Sequence, residues 1–312
     1  MVEIGSLTVP DLSVNLCGIK LKNPTVLASG ILGTDKAVLR RVARCGAGAV
    51  TIKSVSREPR EGHANPTIVT FEAGMMNAVG YSNPGLDEAM KEFADLSDVP
   101  APVIASVIGR DASEFAYAAE RMASLPFAAV ELPLSCPHTP GYGTLAGQGT
   151  PEATYEITAA VRKATDKPLF VKISPNMPGI GEVAQAAEKA GADAITAVNS
   201  LGPGMLINIE AHEPVLDFKM GGVTGPALRP IATRCVYDVF RAVKIPIIGT
   251  GGVSTGRHAI EMMMAGATAV GIGSAVYYEG IDVFGRIAAE METWMSENGV
   301  ESVEELIGAA NR

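Results

Sequence analysis

Eight times along this chain a short apolar run ends in a glycine or a polar residue and gives way to a helical pattern. That alternation limits the fold more than any other feature. The runs fall at 24–28, 49–52, 103–107, 129–132, 169–173, 194–198, 247–248 and 269–272, and each ends in Gly, Ser, Lys, Asn or Pro. Apolar runs this short and this evenly spaced read as buried parallel strands joined by helical crossovers, and an eighth strand can close on the first. The pattern predicts an α/β fold, a single (β/α)8 barrel over residues 1–312 read as one domain. A doubly wound open sheet is the competitor. It is disfavoured because no GxGxxG turn follows the first run, while glycine pairs follow the seventh and eighth. Two stretches, 55–84 and 202–222, interrupt the alternation as insertions. Both leave the carboxyl ends of strands, the face on which barrel enzymes place their chemistry.

Composition narrows the function classes. At 312 residues, 47% apolar and 19% charged, the chain can bury a large core. No apolar run reaches membrane-spanning length, and the first residues lack a basic start followed by an apolar block. The expectation is a cytoplasmic protein without a membrane segment. A net charge of −9 argues against non-specific nucleic-acid binding, which needs clustered Lys and Arg. Cys17, Cys45, Cys136 and Cys235 are far apart and form no CxxC pair, which speaks against a disulfide framework and against a metal site held by this chain alone.

The chemistry-bearing residues stand at strand ends. Cys136 lies in a Ser-Cys-Pro-His segment that opens a loop rich in Gly and Pro, where a thiol is better placed to move a proton than to fill a core. His138 is two residues away, a candidate base partner for it. Lys53 follows the second strand and Lys172 lies within the fifth. Each is either salt-bridged to a nearby carboxylate or aimed at an anionic ligand. Asn77 in the first insertion, and Asn199 with Ser200 after the sixth strand, offer neutral donors and acceptors, although loop asparagines also serve as turn formers. Gly249-Thr-Gly-Gly-Val253 and Gly271-Ile-Gly-Ser274 expose backbone amides next to helix starts after the last two strands. Amides and helix dipole together suit a phosphate there. A phosphate-anchored redox cofactor, with Cys136 moving a proton, fits this set. Two other readings stay open: a flavin-free lyase or isomerase using Lys53 or Lys172 as a Schiff-base amine, and a binding subunit without turnover.

At these residues the chain resembles the class 1 dihydroorotate dehydrogenases, nearer the 1B branch. The resemblance is carried by Asn77-Ala-Val-Gly-Tyr-Ser-Asn-Pro-Gly85, Ser135-Cys-Pro137, Val171-Lys-Ile-Ser-Pro-Asn176, Asn199-Ser200, Gly221-Gly-Val-Thr-Gly-Pro-Ala227 and Gly251-Gly252, in order along nearly the whole length. It implies a barrel that binds FMN and oxidises (S)-dihydroorotate to orotate in pyrimidine synthesis. Cys136 is then the base at C5 while hydride leaves C6. Lys53 contacts flavin and substrate, and Lys172 stabilises the reduced flavin. The cofactor set it implies is Ser29, Lys53, Ser54, Ser106, Pro133, Lys172, Val198, Gly225, Gly251, Gly252, Gly273 and Ser274. The substrate set is Lys53, Asn77, Ala78, Val79, Gly80, Tyr81, Pro133, Asn199 and Ser200, with no metal. The 1B resemblance further implies a homodimer core and a separate subunit carrying FAD and a [2Fe-2S] cluster that passes electrons to NAD. The chain departs from the family pattern at Ser106, Pro133 and His138, where Asn is usual. Ser-Cys-Pro-His is the form shared with dihydropyrimidine dehydrogenase domains, so reduction of another pyrimidine or of an enone is the alternative.

Overall fold

Each apolar run is covered on both faces, by helices outside and by facing strands within, which lets it be continuously hydrophobic. The computed structural model describes residues 9–134 and 149–312. In it the eight barrel strands are Thr25–Leu27, Ala49–Thr51, Val103–Ser106, Ala129–Pro133, Leu169–Ile173, Ala194–Ala197, Ile247–Thr250 and Ala269–Ile272. They run parallel in chain order, and the eighth closes on the first through Gly271 opposite Val26. The open-sheet alternative is thereby excluded.

Caps set where the outer helices begin. Asp35, Asp111, Thr150 and Thr255 each accept a hydrogen bond from a backbone amide of the following first turn. Each helix turns an apolar stripe inward, as Phe115, Ala118, Ala119 and Met122 do from the helix Ala112–Ala123. Phe170, Phe284 and Leu39 are among the largest side chains sealed in the resulting core.

Three details differ from the sequence reading. The fourth strand does not break at Pro133 but includes it, opposite Lys172; the next amide, Leu134 N–H, makes the ladder bond to Lys172 O at 3.0 Å. Proline is tolerated because it stands last in the strand. The amphipathic pattern after Ser274 predicts one long helix to about Asn298, but a short piece, Ala275–Glu279, stops at Gly280 (φ 79°), and Val283–Asn298 follows. A further helix, Leu86–Glu92, lies between the second and third strands.

The two insertions meet each other. Leu201–Gly204, Gly221–Thr224, Gly74–Asn77 and Ile68–Phe71 form one antiparallel sheet in that order, with Gly222 opposite Asn77 and Val223 opposite Met76. It has its own small core of Met76, Ala78 and Leu216, and the His63 ring stacks on Phe218 at 4.0 Å. This sheet rises from the carboxyl ends of the barrel strands and carries Met75 and Asn77 to the pocket at the barrel mouth.

Candidate active site

The pocket at the barrel mouth has a volume of about 210 Å³ and takes residues from the ends of seven barrel strands, all but the third, and from the inserted sheet. Ser29, Lys53, Ser54, Pro133, Lys172, Val198, Asn199, Ser200, Gly251, Gly273 and Ser274 line it from the barrel, and Asn77, Ala78, Val79, Gly80 and Tyr81 from the insertion. Gly225 and Gly252 line a neighbouring cavity of about 250 Å³, and Ser274 belongs to both walls. Ser106 is set back: it is fully buried and reaches the pocket only through Ser54, the two hydroxyls lying 2.8 Å apart. Cys136 and His138 lie outside the described residues. A larger groove, about 520 Å³, opens among outer-layer residues including Tyr237, Arg257 and Trp294, away from every strand end. Its mainly apolar wall lacks the convergent polar groups of the barrel mouth.

Local geometry explains how the lysines arrive. Gly33 lets the loop after the first strand lie against the second: a Cβ there would fall 2.4 Å from the Lys53 amide, and that amide donates to Gly33 O at 2.9 Å. Lys53 is thus held at the mouth with its side chain over the pocket. Burial alone holds its ammonium below the usual lysine range, and no carboxylate offsets it among the described residues. Lys172, 5% exposed, projects inward from the fifth strand and donates from Nζ to Ser29 Oγ at 3.3 Å. Neither lysine forms an ion pair among the described residues, so the salt-bridge reading gives way to two cations facing one pocket.

Because Lys53 has a depressed folded-state pKa, the charged form costs stability at neutral pH. That cost fades as pH rises through the folded pKa towards the unfolded value of about 10.4. Lys53→Met is therefore expected to raise the melting temperature of the ligand-free protein at pH 7, with the gain shrinking in alkali. A lower melting temperature at pH 7 would show the cation to be paired.

The cradle is backbone. Gly225 (φ 87°), Gly251 (φ 138°) and Gly252 (φ 73°) hold conformations that favour glycine. At Gly252 a Cβ would stand 2.6 Å from Arg229 Cβ and 2.8 Å from Gly225 O, so the two turns close on each other only without side chains. The helix-dipole part of the sequence reading weakens. The helix after the eighth strand has five residues, and the Gly256 amide that opens the helix after the seventh is taken by Glu290 Oε2 at 2.5 Å. Exposed amides, rather than an aimed dipole, are what this corner offers an anion.

The substrate-side residues are held by local bonds. Tyr81 sits in left-handed backbone (φ 58°), and Asn83, buried beneath it, donates to Tyr81 O at 2.8 Å and to Ser56 Oγ at 2.9 Å. Asn77 Nδ2 donates to Gly222 O at 3.4 Å, and the Ser200 amide donates to Asn199 Oδ1 at 2.9 Å. Sequence reasoning missed Thr250, at the pocket wall, whose buried Oγ1 has no hydrogen-bond partner among the described residues, and Glu131 with Thr196 beneath the floor. A lone acid in the apolar run 129–132 was the available signal for Glu131.

Fold and site together define a (β/α)8 barrel with a glycine-lined corner and two lysines, one buried and one half-buried, at its mouth. The family model described as "Dihydroorotate dehydrogenase" matches residues 11–295. The chain is 46% identical over 304 residues to the dihydroorotate dehydrogenase B (NAD(+)) catalytic subunit of Methanothermobacter thermautotrophicus, covering 96% of this chain and 98% of that one. It is 46% identical over 299 residues to the same subunit of Pyrococcus abyssi, covering 96% and 99%. A crystal structure of DHODH in complex with ferulenol from Eimeria tenella shares the fold, with a TM-score of 0.84, 22% identity, and coverage of 100% of this chain and 91% of that one. The chain belongs to the dihydroorotate dehydrogenase family, an FMN-using family, and stands with its B-type catalytic subunits.

Proposed function

We propose that this chain is an FMN-bearing catalytic subunit that oxidises (S)-dihydroorotate to orotate in pyrimidine synthesis. The observation that carries this reading is the convergence of two lysines, Lys172 buried and Lys53 half-buried, neither in an ion pair among the described residues, and a glycine corner on one barrel mouth. Those residues fit FMN. Gly225, Gly251, Gly252, Gly273 and Ser274 offer amides and space for the phosphate; Ser29, Ser54, Val198 and Lys172 line the ring site, and Ser106 steadies Ser54. When bound, FMN supplies hydride acceptance from C6 of the substrate. The chain's own residues bind, orient and move the proton. Lys53 sets its charge toward substrate and cofactor. Asn77, Ala78, Val79, Gly80, Tyr81, Asn199 and Ser200 frame the substrate, with Pro133 on the boundary between the two. Cys136 takes the C5 proton.

The coarse partner is given by the relatives' printed name, "catalytic subunit", which implies a second subunit. We take that subunit to carry FAD and a [2Fe-2S] cluster and to pass electrons to NAD. Exposed Met205, Ile207 and Ile209 around the hairpin of the second insertion support a homodimer core. Among the described residues no helix is long and apolar enough to cross a membrane, and no cluster of side chains is set to hold a metal ion. We read the chain as one cytoplasmic domain.

Pro133 on the pocket wall favours a second reading, reduction of another pyrimidine or of an enone. It contributes no amide where a hydrogen bond worth about 1–3 kcal/mol is otherwise available. Anaerobic mixing of the FMN-loaded protein with dihydroorotate or dihydrouracil separates the two. Bleaching of the flavin by dihydroorotate at least about tenfold faster supports the first reading; faster bleaching by dihydrouracil supports the second. A protein that takes up no FMN leaves the lyase reading, for which the depressed Lys53 amine is suited.

A further inference from the structure

We infer that Glu131 is the charge partner of Lys172, held one hydroxyl away by Ser29, and that it sets how strongly the pocket floor favours reduced over oxidised cofactor. The inference rests on the flavin reading above. Glu131 stands in the fourth barrel strand and is 3% exposed, beneath the pocket rather than on its wall. Its Oε1 accepts from Ser29 Oγ at 2.8 Å, and its Oε2 accepts from Thr196 Oγ1 at 2.9 Å across the barrel interior. Ser29 Oγ in turn accepts from Lys172 Nζ at 3.3 Å.

Proton counting fixes the direction of this chain. A serine hydroxyl has one proton, and Ser29 gives it to Glu131. What Ser29 shows to Lys172 and to the pocket is therefore lone pairs only. Glu131 thus does two things at once: it makes Ser29 an acceptor, and it places a negative charge close to Lys172 without contacting it. A directly paired lysine would lend the pocket little field, because its charge would be spent on the carboxylate. A lysine with no carboxylate below it would favour any added negative charge as strongly as its burial allows. The hydroxyl spacer gives an intermediate field. Glu131 touches neither substrate nor cofactor; it is a positioning residue acting through Ser29 and Lys172.

The test is potentiometric titration of the FMN-loaded protein and of E131Q, which keeps the shape and one acceptor oxygen, turns the other acceptor into a donor that the Thr196 hydroxyl can accept from, and removes the charge. E131Q is expected to bind FMN and to favour the reduced form over the oxidised about tenfold more than the unaltered protein, an upward shift of about 30 mV for a two-electron couple. An unchanged or lowered potential, with FMN bound, overturns the inference and leaves the flavin reading standing. An unaltered protein that holds no FMN overturns the reading itself. Should E131Q fail to fold, K172M and K172M/E131Q provide the same comparison. The double variant, with no buried charge at this point, is expected to have the higher potential, and equal potentials overturn the inference. A merely structural role for Glu131 changes melting temperature without this directional change in potential.

Discussion

Cys136→Ser is expected to leave FMN bound and to slow its reduction by dihydroorotate by about 10²- to 10⁴-fold at neutral pH, the span typical of losing a general base. A thiol has an ordinary pKa of about 8.5 and is readily brought to thiolate at neutral pH, whereas a serine hydroxyl is not. The rate of the serine variant should climb with pH as hydroxide replaces the missing base. No other described cysteine is placed to substitute. Burial pushes the Cys17 thiol up to about 12 and Cys235 up to about 11, and Cys17 Sγ donates to Asp193 O at 3.1 Å outside the pocket. Burial also raises Cys45. Anaerobic single-turnover kinetics reads the effect. Unchanged reduction rates would remove Cys136 from the proton transfer.

Gly252→Val is expected to cost FMN rather than the fold. A β-branched residue is poorly tolerated at φ 73°, and its Cβ would collide with Arg229 and with Gly225 O, the carbonyl of the opposite turn of the cradle. Strain of this kind costs about 1–3 kcal/mol, so FMN affinity should fall by about tenfold to a hundredfold through distortion of the turn alone. Gly280→Ala is the control. That residue has a similar φ of 79° with nothing within 4 Å of a new Cβ, and it lines neither cavity. It is expected to lose some stability and keep its flavin. Equal FMN retention in both variants would move the phosphate away from this corner.

The barrel was legible because each strand is a closed hydrophobic unit with a chemically marked end: Lys53 after the second, Asn199 after the sixth, Gly251 and Gly252 after the seventh. Those marks are local, and local sequence carries them. The pairing of the insertions was not legible, since the bond between Gly222 and Asn77 joins residues 145 positions apart and leaves no periodic trace in either segment. Nor was the break at Gly280, because a glycine within an amphipathic pattern reads as a costly helix residue as readily as a terminus. The lysines were visible as cations in apolar runs. That neither makes a direct ion pair among the described residues, and that Glu131 lies behind Ser29 instead, depends on which strands face each other across the barrel. The helix-dipole expectation is weakened for a different reason: a glycine turn in the sequence shows exposed amides but not the length of the helix after it.

The most direct test is equilibrium titration of the flavin-stripped protein with FMN and with riboflavin, which has the same ring and no phosphate. One FMN should bind per chain, and riboflavin about a hundredfold more weakly, because it leaves the glycine corner without its charge-assisted hydrogen bonds. No uptake of FMN, or equal affinity for the two, would contradict a flat redox ring held by its phosphate beneath the last two strands.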